Sequence, residues 1–347
     1  MRKEKESNKR RWAAVLIAAG LFVVSLVSAS LTKPQENDQI EGLNSWLYGD
    51  EELAPNVLEE GDSTQKIVKL SVDGTIAAGG SSGLFASEGY NHKNFMEQLK
   101  AIEEDPTVKG IFLEVNSPGG GVYESAEIAK KLDTIRKEHD IPMYVSMKNM
   151  AASGGYYISA QADKIFATEE TVTGSIGVIM SGLNYSGLLE KLGVEDTTVK
   201  SGALKDMGSG TRPETKEEET VLQAYIDSAY SRFVAIVSEG RNKSEEEVKK
   251  IADGRIYDGV QAKEVGLVDE LGFPEDALKA MRKEQQLEDA ELVEYSSAPS
   301  GFASTWLGSK LAEFQGLKPS ETSQILSVLE NLGTAESPKA MYYYGGE

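Results

Sequence analysis

Asn149-Met150-Ala151-Ala152-Ser153-Gly154-Gly155-Tyr156-Tyr157 is where this 347-residue chain turns from one kind of periodicity to another. Upstream, Pro142 to Met147 (Pro-Met-Tyr-Val-Ser-Met) reads as a strand; downstream, Tyr156 to Ala162 reads as a short helix. A serine at such a junction lies beside unpaired backbone N–H groups and the positive end of the helix dipole. The two glycines permit a tight turn and the close approach of another backbone. Two readings of Ser153 follow. It is an N-cap, with glycines that only make the turn, or it is a covalent nucleophile with its oxyanion donors beside it.

Outward from this point, strands and helices alternate. Lys66 to Val72 reads as a strand, followed by a Gly-rich loop (Gly79 to Gly83) and a helix over Asn94 to Glu103. Lys109 to Val115 is a strand ending in Asn116-Ser117-Pro118-Gly119-Gly120-Gly121, and the next helix carries Ile128, Leu132 and Ile135 on one face. Lys164 to Thr168, Ser175 to Met180 and Asp196 to Lys200 read as further strands. Pro213-Glu214-Thr215 opens a long helix, and Ser244 to Ala252 and Pro274 to Arg282 read as two more. Strands of buried type alternating with helices predict an α/β domain with a parallel sheet.

The amino terminus differs from the rest. Residues 1–11 form a basic segment with six Lys and Arg against two Glu, although the whole chain carries a net charge of −20. Residues 12–31 (Trp12 to Leu31) hold no charge. Twenty residues of helix span ~30 Å, a bilayer core. The basic flank predicts a cytoplasmic amino terminus and an extracytoplasmic body. A cleaved signal peptide is the rival, since Val27-Ser28-Ala29 resembles a cleavage site. Residues 32–63 read as a polar extracytoplasmic linker, 64–297 as one folded domain, and 298–347 as an extension with a helical segment at 324–332 and a flexible tail. That tail, Tyr342 to Glu347, is also expected to act as an extended peptide able to enter an active site, giving self-processing or occlusion.

Composition narrows the chemistry. There is no cysteine, so thiol nucleophiles, disulfides and thiolate metal sites are excluded. Only His92 and His139 are available, both in polar contexts expected at the surface, so a multi-His metal site is not expected. The acidic balance argues against nucleic acid as a partner. The 116–121 loop lacks the Gly-Lys-Ser/Thr of a phosphate loop, and Glu124 stands where a dinucleotide fingerprint needs its third glycine. It remains either a backbone donor loop or a plain turn. With histidine scarce, a lysine is the candidate base for Ser153. Lowering a lysine from its reference pKa of ~10.4 to about 7–8 takes roughly 3–5 kcal/mol of charge-state bias, and hence burial. Lys205, in Ser201-Gly202-Ala203-Leu204-Lys205-Asp206, lies among small and apolar residues, with Asp206 adjoining it; Lys148, five residues before Ser153, is its competitor.

Taken together, Asn116 to Gly121, Ala152 to Tyr156, Thr173-Gly-Ser-Ile-Gly177, the Lys205 segment, and Tyr257 to Ala262 continuing through Gly266-Leu-Val-Asp269 resemble the short, single-domain form of bacterial signal peptide peptidase A, peptidase family S49. The resemblance covers about residues 66–270. It implies a ClpP/crotonase-like fold and a Ser–Lys dyad, with Ser153 as nucleophile and Lys205 as general base. It also implies that Ser175 orients the lysine and that the Gly120 and Gly154 amides form the oxyanion hole. Neither cofactor nor metal is implied. The implied substrates are signal-peptide remnants and other apolar peptides at the cell membrane. The implied assembly is a ring-shaped homo-oligomer, an octamer, with sites completed by neighbouring subunits. Two other classes fit parts of the chain: a crotonase-like acyl-CoA enzyme, which the anchor and acidic charge oppose, and a non-catalytic membrane scaffold, which would have lost the dyad.

Overall fold

The computed structural model describes residues 53–78, 89–297 and 340–345, and all of them up to Ser296, together with 340–345, fall in one compact unit. The candidate anchor at 12–31, its flanks and the helical segment at 324–332 lie outside the described residues. No helix among the described residues is long and apolar enough to cross a membrane.

The centre is a sheet in the order β1 (Leu53–Glu59), β10 (Ala290–Ser297), β2 (Asp62–Asp73), β3 (Val108–Ser117), β5 (Met143–Ala152), β6 (Lys164–Ala167) and β9 (Glu270–Leu271). Its pairs from β10 through β9 are parallel. One row of the register runs Leu70, Leu113, Val145, Ile165 across four strands. All four are 1% exposed or less, and they face α1 (His92–Glu104) and α2 (Val122–His139) through Phe95, Leu99, Ile128, Leu132 and Ile135. The alternate positions Phe112, Tyr144 and Phe166 face the other way, onto Ala277 and Met281 of α8 (Pro274–Glu284). The strict alternation of side-chain direction in strands therefore builds two cores, one on each face. Each fully buried aliphatic or aromatic side chain contributes about 1.5–3 kcal/mol, so Leu113→Ala is expected to cost roughly 2–5 kcal/mol.

Where β5 outruns β6, a short strand, β7 (Val172–Gly174), pairs with its far end and with antiparallel β8 (Ile256–Tyr257). Helix α3 (Gly154–Ser159) starts directly after β5. Helix α4 (Ser186–Leu192) lies on an exposed arm. Helix α5 (Lys216–Gly240) is closed at its start by a capping box between Thr215 and Glu218 and inserts Phe233, Val234 and Val237 into the core. Helices α6 (Glu245–Ile251) and α7 (Gly259–Glu264) carry capping boxes of their own.

Several expectations need correction. The sheet begins at Leu53, inside the segment read as linker. No strand forms over 175–180, because Ser175 takes a φ of 48° and leaves the extended region; only Ile179 pairs, as an isolated bridge to Met341. No strand forms over 196–200, because the Asp196 carboxylate accepts from the Thr198 amide at 2.8 Å and curls the chain locally. The tail is strand at its root, β11 (Met341–Tyr343). His92 is buried, not at the surface.

Candidate active site

At the end of β5 the main chain fixes Ser153. Register places Ala152 opposite Gly174, and the Ser153 amide donates to the Gly174 carbonyl at 2.8 Å. The serine adopts φ 54° and ψ −115°, and its side chain makes no capping hydrogen bond, so the N-cap reading fails. A non-glycine residue in this region costs about 1–3 kcal/mol, a strain typical of a strand-to-helix turn that exposes a nucleophile. Behind it the glycines are obligatory. A Cβ at Gly154 would lie 2.7 Å from Ser125 Oγ and 3.0 Å from the Gly120 nitrogen; one at Gly155 would lie 2.8 Å from the Ser117 carbonyl oxygen.

The second glycine loop, β4 (Gly119–Gly121), lies directly against this turn. Gly119 has φ 98°, and a Cβ there would sit 2.5 Å from the Gly154 nitrogen. A Cβ at Gly120 would fall 1.9 Å from the Ile76 carbonyl oxygen. Ile76 locks the loop, donating to the Gly119 carbonyl and accepting from the Gly121 amide, both at 2.8 Å. The Ser117 hydroxyl accepts from the Gly119 amide at 3.1 Å. The structure thus brings Ser153, Gly154 and Gly120 together, and Ser175 joins them through β7: it follows Gly174, is 7% exposed, and donates its amide to the Arg255 carbonyl at 2.8 Å.

Beside β4, β11 runs antiparallel, pairing Met341 with Gly121, Tyr342 with Gly120 and Tyr343 with Gly119. On its other side Met341 exchanges hydrogen bonds with Ile179 at 2.9 and 3.1 Å. The Tyr342 carbonyl oxygen and the Gly154 nitrogen both crowd the point a Gly119 Cβ would occupy. The Tyr342 ring is fully buried, stacked on Tyr157 at 4.8 Å and tilted against Phe233 at 4.7 Å, with its hydroxyl donating to the Ala229 carbonyl at 3.0 Å. Burial pushes that phenol well above its ordinary pKa.

Lys205 does not join this group. It is exposed, and its side chain makes no hydrogen bond or ion pair among the described residues. It sits on the arm between β7 and α5, which also exposes Leu183 (86%), Leu192 (66%) and Val199 (98%). Among the described residues of one chain the expected burial of Lys205 beside Ser153 is therefore absent. A loop that holds so many large apolar residues in water has no core of its own to bury a lysine in.

Sequence comparison decides the family. A family model described as peptidase family S49 matches residues 135–288, and one described as Clp protease matches residues 86–173. The chain is 58% identical over 343 residues to "Putative signal peptide peptidase SppA" of Enterococcus faecium, covering 98% of this chain and 99% of that one. It is 36% identical over 243 residues to "Protease 4" of Haemophilus influenzae, covering 70% of this chain and 38% of that one. Over 52% of this chain and 26% of the other, it is 29% identical to "Serine protease SPPA, chloroplastic" of Arabidopsis thaliana. The chain belongs to peptidase family S49.

As an S49 serine peptidase with an α/β fold, the protein needs a base for its nucleophile, and the structure weighs the rivals of Lys205. Lys148 is exposed, and its amine lies 3.9 Å from the Glu114 carboxylate. His92 has both ring nitrogens engaged, Nδ1 with the Tyr90 hydroxyl at 2.5 Å and Nε2 with Glu127 at 2.8 Å. His139 is exposed at the end of α2. Sequence reasoning missed the residues that shape this S49 site from behind: Ile76, Ser117, and Ser125, whose buried hydroxyl has no partner among the described residues. Only the Ser-Pro-Gly start of the loop hinted at Ser117. Ile76 and Ser125 carry no local signal, because long-range packing alone brings them to the glycines.

Proposed function

We propose that this S49 peptidase cuts signal-peptide remnants and other apolar peptides with a Ser153–Lys205 dyad. In this reading residues 12–31 anchor it in the cell membrane in a single pass, amino terminus cytoplasmic and catalytic domain outside. Copies form a ring, an octamer, in which Lys205 of one subunit serves Ser153 of its neighbour. The observation that carries the reading is β11. The chain's own peptide lies as a strand between Gly119–Gly121 and Ile179, and its Tyr342 carbonyl points to the junction of the two glycine loops. An extended substrate adding itself to the same edge would be held through its main chain, with side-chain pockets setting preference.

The mechanism follows from the parts. Neutral Lys205 takes the Ser153 proton, and Ser153 Oγ attacks the peptide carbonyl. The Gly120 and Gly154 amides hold the oxyanion, each worth about 2.7–4 kcal/mol. Lys205 then protonates the leaving amine and activates the water that frees the acyl-enzyme. Ser175, next to Ser153 across β7, orients the lysine. The exposed apolar arm supports a partner subunit, since burying Leu183, Leu192 and Val199 against a neighbour would at once carry Lys205 into a dry environment. The name of the Enterococcus faecium relative, a putative signal peptide peptidase, supports the substrate class.

The test is peptidase assay of the full chain carrying Ser153→Ala, Lys205→Ala or Lys148→Ala. The first two are expected to lose activity by about 10⁴-fold or more and the third to keep it. Full activity in Lys205→Ala sinks the dyad.

A further inference from the structure

A lysine that must lose its proton to work is followed in this sequence by a carboxylate, Lys205-Asp206. A carboxylate within reach of the amine would favour the charged, inactive form. The structure turns Asp206 elsewhere. Arg212 Nε donates to Asp206 Oδ2 at 2.8 Å, and Nη2 donates to Oδ1 at 2.7 Å. Lys200 Nζ donates to the same Oδ1 at 2.6 Å, so both carboxylate oxygens are taken. Arg212 Nη2 also reaches the Asp206 main-chain carbonyl at 3.3 Å, holding backbone and side chain of the residue after Lys205 in one grip.

The guanidinium has a second anchor. Nη1 donates to Glu218 Oε2 at 2.9 Å and Nη2 bonds Oε1. Glu218 is 1% exposed, lies in the first turn of α5, and accepts the Thr215 amide at 2.8 Å within the capping box. Helix α5 in turn packs Phe233 against Tyr157 of α3, the helix that begins after Ser153. One arginine therefore ties the lysine turn to the element lying behind the nucleophile. Only a planar fork can serve two carboxylates and a carbonyl at once. Arg212 is also the first cause holding Asp206 well below the usual carboxylate range and Glu218 down to about 2, so both stay ionised through the neutral range.

We propose that Arg212 is a positioning residue for the general base: it draws the Asp206 carboxylate away from Lys205 and fixes the turn that presents the lysine to a neighbouring copy. The proposal rests on the reading of Lys205 as base. The charged groups around the turn are Lys200, Asp206 and Arg212 on it, Asp196 through its bond to Thr211, and Glu218 from α5. Ser153 and Ser175 bring no charge.

The experiment is the pH profile of kcat/KM for a peptide substrate, with melting temperature and oligomeric state, on the full chain. In Arg212→Gln, Asp206 is released toward Lys205. The alkaline-rising limb is expected to move up by about one to two pH units, and kcat at neutral pH to fall about tenfold to a hundredfold with little change in KM. Adding Asp206→Asn to Arg212→Gln is expected to return the limb to its wild-type position even if kcat stays low, which loss of structure alone would not do. Lys200→Gln, remote from α5, is expected to move the limb the same way by less, and it decides the matter if Arg212→Gln fails to fold. A limb unmoved in folded Arg212→Gln or, failing that, in Lys200→Gln overturns the proposal, as does a limb that Asp206→Asn leaves displaced. Lys205→Ala runs alongside: activity there removes the dyad and this proposal together, whereas an inactive Lys205→Ala with an unmoved Arg212→Gln limb removes the clamp alone.

Discussion

The Ser153 turn and the Lys205 arm are built on opposite principles. Around Ser153 the main chain does nearly everything: a parallel register, a strained φ, and glycines whose missing Cβ atoms leave under 3 Å to their neighbours. Around Lys205 there is little regular structure, and side-chain ion pairs hold the turn while large apolar residues face water. A nucleophile and its oxyanion donors profit from rigid preorganisation, which a sheet edge supplies within one chain. A lysine base needs burial in company that does not hold its proton, and a small exposed arm cannot provide it. In the proposed reading, splitting the two in this way leaves a single chain without its base until it assembles.

The sharpest break of this contrast is complementation. Co-expressed Ser153→Ala and Lys205→Ala chains are each expected to be dead alone, and a mixed ring to regain activity at about a quarter of its sites if each site takes its serine and lysine from different copies. No recovery in rings shown to be mixed would return both residues to one chain. Close behind comes Leu183→Asp with Leu192→Asp on the arm. These exposed positions leave the core untouched, so the subunit is expected to stay folded while size-exclusion shows loss of the ring and activity falls by about a hundredfold or more.

On the serine side, Gly120→Ala must displace the Ile76 carbonyl from 1.9 Å and disturb the amide proposed to hold the oxyanion, with about 10² to 10³ in kcat expected to go. A smaller effect belongs to the tail. Truncation at Ser337 removes β11 and is expected to raise hydrolysis of short peptides several-fold, because the Gly119–Gly121 edge is then open. Mass spectrometry extends the same test. The Tyr342 carbonyl oxygen lies near the glycine junction, so if the tail is self-processed the bond after Tyr342 is the expected cut; wild type then sheds residues 343–347 and Ser153→Ala keeps them. An intact terminus in active protein with unchanged activity on truncation ends the tail hypothesis.

How legible each region was follows from the same contrast. The sheet and its flanking helices were readable because Lys66 to Val72, Lys109 to Val115 and Pro142 to Met147 carry their burial in local pattern, and Ile128, Leu132 and Ile135 carry a helix face. The Ser153 turn was readable because glycine reports directly on backbone geometry. The arm was not. Asp196 to Lys200 alternates like a strand but has no strand partner among the described residues, and its aspartate bonds its own backbone instead. The same blindness covers β11: nothing in Met341-Tyr-Tyr says which edge it joins, since the partner strand lies more than two hundred residues earlier. His92 misled for the reverse reason, a polar neighbourhood in sequence that folds into contact with Tyr90 and Glu127.

The finest distinction between the two regions is their response to acid. Glu218 is held at about 2, chiefly by Arg212, against an ordinary value of 4.5. A carboxylate with a depressed folded pKa stabilises fully above its unfolded value, and that contribution fades as pH falls from about 4.5 toward 2. Asp206 is held lower still, so its bond to Arg212 outlasts the one to Glu218. The Ser153 turn has no such dependence, because it is made of amides and carbonyls. Glu218→Gln removes the titrating half of the clamp while keeping a side chain of the same shape. Its melting temperature is expected to lie below that of wild type by a few degrees at pH 7, and the gap to close steadily below pH 4.5. Curves that stay parallel from pH 7 to 3 would mean that the arm is anchored by something other than the ion pair, and the division between a backbone-built serine turn and a charge-held lysine arm would have to be redrawn.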